Sequence, residues 1–128
     1  MVDDFYGPEQ WLVFRESMRR VFPERPIVEM DEADEVLHVV YDLDHRVQIP
    51  GLRHLRWSFG GRFGGRLEDT PPRWRAIYDD EGRVLVAINF NMDIGDAWEH
   101  ADLPEYPEPM TALAYRLGIN YIIYAMTH

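Results

Sequence analysis

The chain has 128 residues, enough for one hydrophobic core and too few for two. An apolar fraction of 46%, with four Trp, seven Tyr and six Phe, excludes global disorder, and the absence of cysteine excludes disulfides, thiolate metal sites and a Cys nucleophile together. Net charge is −10 and all thirteen basic residues are arginine, so the overall field opposes nucleic acid and anionic membranes.

The charge is unevenly placed. Balances of −7 over residues 1–50, +4 over 53–75 and −7 over 76–128 set a basic island in an acidic chain. No run approaches the ~18 apolar residues of a membrane-spanning helix. The opening "MVDDFYGPEQ" carries neither the basic nor the apolar region of an export signal, so direct membrane insertion is not expected and the compartment stays open.

"MVDD" reads as the end of a strand feeding into a helix, and the chain is expected to start inside an element of an incomplete sheet. "GPEQWLVFRESMRRVFP" then predicts a helix. Pro8 and Glu9 suit its first turn, Trp11, Phe14, Met18 and Val21 fall on one stripe, and Arg19, Arg20 and Pro23 mark its end. "RPIVEM" predicts a short strand, followed by an acidic turn, and "VLHVVYDL" fits a short helix or a strand equally. Residues 50–73, rich in Gly, Arg and Pro, read as a long loop.

"WRAIYD" and "RVLVAINFN" around "DEG" are a hairpin signature, with Gly82 available for positive φ. Both faces of Val84 to Phe90 are apolar, which predicts a strand covered on both sides. From about Pro109 the chain predicts a closing helix, apolar nearly all round and therefore packed, with Leu113, Leu117, Tyr121 and Tyr124 along one row. Residues 1–128 thus form a single domain.

The richest candidate chemistry is the run of Asn89, Asn91, Asp93, Asp96, Trp98 and Glu99, where that second strand ends. Ligands in open α/β sheets bind beyond the carboxyl ends of strands. If the N-terminal strand is a neighbour, Asp3 and Asp4 join the same rim. Such side chains hydrogen-bond a small ligand, and Asp3, Asp4, Asn91 and Asp93 are the set expected if a divalent cation binds; no other cofactor is expected. The spacing is not that of an EF-hand, since Ile94 and His100 stand where Gly and Glu are required. The competing reading makes the same Asp and Asn residues caps of turns and helix ends.

Three further groups carry weaker signals. Arg62 and Arg66 in "RWSFGGRFGGR" offer an anion fork, against the simpler reading that they pair with the domain's own acids. Ser58 in "RWSFG" has Arg56 where a nucleophile elbow needs Gly, and Ser17 sits on the first helix. His38, Asp42, Asp44 and His45 offer metal ligands without a recognised spacing.

The blocks "MVDDFYGPEQWLVFRESMRRVFPER" and "NMDIGDAWEHADLPEYPEPMTALAYRLGINYIIYAMTH" resemble a bacterial family, domain of unknown function 4159, of the class I glutamine amidotransferase-like superfamily. The resemblance implies a three-layer, flavodoxin-like α/β fold of which this chain is the C-terminal part. It also implies upstream strands and, in many members, upstream export or membrane-anchoring segments. Amidotransferases of that superfamily use a Cys-His-Glu triad; with no Cys and no elbow, glutaminase activity does not carry over. The expectation is a non-catalytic ligand-binding or assembly domain that self-associates as a dimer or higher, or joins an upstream segment. The alternative is a carboxylate- or metal-dependent hydrolase at the strand ends.

Overall fold

The computed structural model describes residues 1–44, 47–59 and 73–128; of 56–59 only the backbone is described. Helix α1 spans Gly7–Val21, strand β1 Val28–Glu29, and a single 3-10 turn Glu35–Leu37. Helix α2 covers Leu52–Phe59, strands β2 and β3 are Arg73–Tyr78 and Val84–Phe90, and helices α3 and α4 are Ile94–Glu99 and Glu108–Thr127.

The three strands form an antiparallel sheet in the order β1-β2-β3. The β2–β3 hairpin closes through Asp79, whose carboxylate accepts from the Glu81 and Arg83 amides, while Gly82 takes φ +80°. The ambiguous "VLHVVYDL" is neither long helix nor strand: Asp34 caps one 3-10 turn and the chain then bends. On the far side of β3, Val2 pairs with Ile88 in parallel, so β3 has a neighbour on each edge.

Helices cover both faces. On one, Phe5 and Trp11 pack against Phe90 and Phe14 packs on Phe5 and Trp11, with ring centroids 4.8–6.3 Å apart. On the other, Trp74, Ala76 and Ala87 face a core completed by Val36, Leu37, Met92, Ile94, Ala114 and Leu117. The result is an α/β domain.

The structure corrects three expectations. Residues 52–59 are helix rather than loop. Leu85 in β3 is 48% exposed, so only the carboxyl half of that strand is covered on both sides. Helix α4 is not packed all round: Ala114, Leu117 and Tyr124 are buried, whereas Ile122 and Met126 are 60% and 76% exposed. Among the described residues no helix is long and apolar enough to cross a membrane.

The contact of α3 with α4 is close. A Cβ at Gly118 would lie 2.6 Å from the Trp98 ring, nearer than real side chains approach. Gly118→Ala is therefore expected to destabilise the fold by roughly 1–3 kcal/mol through overpacking, despite the better helix propensity of alanine. Urea denaturation checks this; an unchanged or raised midpoint would contradict the packing described.

Candidate functional site

The site begins with backbone. Val2 N–H donates to Ala87 O and Asn89 N–H to Val2 O, both at 2.8 Å. Further along, Asp4 N–H reaches Met92 O at 2.8 Å and Asn91 N–H reaches Phe5 O at 3.1 Å. Asp3 and Asp4 are thereby held beside the run Asn91–Asp93, where two parallel segments end together. Asp4 and Asn91 take left-handed backbone, φ 57° and 60°, a conformation that Asp and Asn tolerate better than most residues.

Three helix starts converge on this rim, and each is capped by one or two of its polar side chains. Asn91 Oδ1 accepts from Gly7 N–H at 3.0 Å, at the start of α1. Asp96 Oδ2 accepts from Leu52 N–H at 2.8 Å, at the start of α2. At the start of α3, Asp3 Oδ2 accepts from Ile94 and Gly95 N–H at 2.8 and 3.2 Å, and Asp93 Oδ1 accepts from Asp96 N–H at 2.8 Å. Backbone N–H groups left over at helix starts suit negative partners, which is why acids are held here in an acidic chain.

Gly51 fills the space between two of the carboxylates. A Cβ there would lie 2.9 Å from Asp93 Oδ2 and 3.2 Å from Asp96 Oδ2. Its N–H donates to the Tyr6 hydroxyl oxygen at 3.2 Å, and the Tyr6 ring lies 4.2 Å from that of His54. Tyr106 closes the neighbourhood, donating to Pro50 O at 2.7 Å.

Crowding sets the protonation of the site. Burial, then the charges of Asp96, Asp4 and Asp3, push Asp93 up to about 7, while the Asp96 N–H bond acts in the opposite sense. Burial and the Asp93 charge raise the Tyr6 hydroxyl well above its ordinary value, and burial with Asp93 and Asp96 does the same at Tyr106. Burial lowers His54. The rim therefore offers a carboxyl that exchanges a proton near neutrality, with a neutral imidazole and phenols around it.

Not every candidate joins this group. Asn89 turns to α4, where Tyr121 donates to its Oδ1 at 2.9 Å. Trp98 packs on Gly118. Glu99 is exposed, yet with Asp96 and His100 it places three ligand atoms within 4.8 Å of one another, a geometry that could hold a metal ion. In the set Asp3, Asp4, Asn91 and Asp93, three of the four side chains accept helix-start N–H groups.

Elsewhere, both ring nitrogens of His38 are engaged, with Asp42 at 3.0 Å and Glu32 O at 2.7 Å, which makes it a structural residue rather than a ligand. Ser17 donates to Val13 O. Arg62, Arg66 and His45 lie outside the described residues, as does the side chain of Ser58.

Tyr6, Gly51 and Tyr106 belong to the site without having been singled out in the sequence; His54 and His100, whose spacing supports no Ser-His-Asp triad, belong to it as well. Tyr6 carried a signal, lying two positions after Asp4; Gly51 carried none, because nothing in the sequence marks the start of α2. Tyr106 carried none, because its partner is 56 positions away.

A pH dependence follows for Asp93. Its folded-state value is raised, so the stability it contributes is full below about 3.8 and is lost as pH rises through about 7. Asp93→Asn keeps an acceptor for the Asp96 amide and cannot ionise. Relative to the wild-type chain it should gain stability between pH 4 and pH 8, reaching on the order of 1–3 kcal/mol. The His54 contribution, lost as pH falls, is common to both proteins and cancels in the difference. Urea titrations across that range test it, and parallel stability curves would show that Asp93 is ordinarily ionised.

A model of one protein family, described as a domain of unknown function (DUF4159), matches residues 1–126. No curated protein and no solved structure matches the chain. With nearly its whole length covered, the chain belongs to that family of domains of unknown function.

Proposed function

We propose that this domain is a non-catalytic ligand-binding or assembly module on a flavodoxin-like, amidotransferase-like scaffold. Its ligand is a small molecule rich in hydrogen-bond donors, or a cation, received at the strand-end rim. The observation that carries the reading is Asp93: a buried carboxyl that holds a proton up to about 7, beside Asp96, Tyr6 and His54. Strongly perturbed groups of this kind concentrate at functional sites, and strand ends are where α/β sheets place them. The sequence offers no Cys to serve as an amidotransferase nucleophile.

Assembly is the second half of the proposal. Apolar side chains at Val13, Ile122 and Met126 are exposed, and a second copy or an upstream segment is the natural cover for them. The same Asp93 also supports the other reading, a hydrolase using that carboxyl as general base, because a catalytic acid–base group works best with its pKa near the operating pH. The Asp96, Glu99 and His100 group would supply its metal.

Native mass spectrometry of the purified chain separates the readings. A retained small mass in the wild type, lost in Asp93→Asn and Asp96→Asn, is the expected result. A chain that carries no ligand in any preparation would overturn the ligand half, and an empty compact monomer would overturn the assembly half as well. If the hydrolase reading holds, Mn²⁺ or Zn²⁺ at 100 times its dissociation constant should add ~2.7 kcal/mol of stability, and His100→Ala should abolish the gain.

A further inference from the structure

A cleft lies away from the rim, between the carboxyl half of α1 and the β1–β2 side of the sheet. Its volume is about 580 Å³, within the roughly 300–1,000 Å³ of small-molecule sites. Four of the chain's arginines line it, Arg15, Arg19, Arg25 and Arg75, against two acids, Glu24 and Glu29. In a chain of net charge −10, this is a place where positive side chains outnumber negative ones. Trp11, Met18 and Pro26 supply an apolar wall.

The arginines are not equivalent. Arg25 is committed, donating to Tyr78 O at 3.0 Å and pairing with Asp80 at 3.0 Å. Arg75 lies over the Trp11 ring at 4.0 Å and its Nε donates to Glu29 at 2.8 Å, yet its buried Nη1 has no hydrogen-bond partner among the described residues. A donor on a charged group left this way is costly, and small rearrangement around an acceptor would relieve the cost. Arg15 and Arg19 reach Glu16 only at 3.7 and 3.5 Å, exposed pairs that contribute little and yield readily to a better partner.

We propose that this cleft binds a small organic anion with a planar apolar body, an aryl carboxylate or aryl phosphate. Arg15 and Arg19 reach the anionic group, Arg75 anchors it, and the apolar wall of Trp11, Met18 and Pro26 receives the ring. Guanidinium forks match carboxylate and phosphate oxygens in pairs, and an apolar wall beside them takes the ring out of water. The site shares no residue with the strand-end rim, so it does not rest on the function proposed there.

Phenyl phosphate, inorganic phosphate and neutral benzyl alcohol are suitable probes, titrated into the ¹⁵N-labelled chain by NMR at low salt. Phenyl phosphate should shift the Trp11 indole resonance with a dissociation constant below about 1 mM, and each of the other probes should bind at least tenfold more weakly. Arg15→Gln with Arg19→Gln, both exposed and safe for folding, should weaken phenyl phosphate at least tenfold, while Arg20→Gln outside the cleft should leave it unchanged. Equal binding of benzyl alcohol, equal binding of inorganic phosphate, an unmoved Trp11 resonance, or unchanged affinity in the double variant would each overturn the proposal.

Discussion

The parallel pairing of the first residues with the end of β3 is the constraint on which the rest depends. Four backbone hydrogen bonds, through Val2, Asp4, Asn89 and Asn91, bring together two pieces of chain that lie 85–88 positions apart in the sequence. Each is worth about 1 kcal/mol net, but together they decide which side chains share a space. Without them Asp3 would not reach the first amides of α3, and Asn91 would not reach the first amide of α1.

What gathers at that junction is a trade between helix ends and acids. Three helices begin there, and their unpaired N–H groups are satisfied by Asn91, Asp96, Asp3 and Asp93. The crowding that makes good caps makes poor carboxylates. Gly51 lets two of them come close, burial removes water, and Asp93 resolves the conflict by holding its proton into the neutral range. Structural and chemical roles thus fall on the same atoms. The caps are in place, and the proposed ligand role would rest on the same arrangement.

Much of the frame was legible in the sequence because its signals are local. Pro8 and Pro23 bracket α1, "DEG" between alternating runs marks the β2–β3 hairpin, and Pro109 announces α4. The rim itself was legible as a possibility, conditional on two strands being neighbours, and the Val2–Ile88 pairing makes them so. Helix α2 was missed for a physical reason: its cap is Asp96, 44 positions further on, so the "PGLRHL" stretch shows Gly and Pro and no start signal. The exposed side of α4 was missed because a helix apolar on every face reads as buried. Here the tertiary structure covers only the side carrying Leu117 and Tyr124.

Amide hydrogen exchange measured by NMR on the whole chain tests the central claim most directly, because the pairing of the two strand ends is made of amides. The N–H groups of Val2, Asp4, Asn89 and Asn91 should exchange as slowly as those in the β2–β3 ladder, opening only with the global fold. Rapid exchange at Val2 and Asp4, with β3 still protected, would mean that the first residues do not hold the rim together, and the site built on them would fall with that pairing.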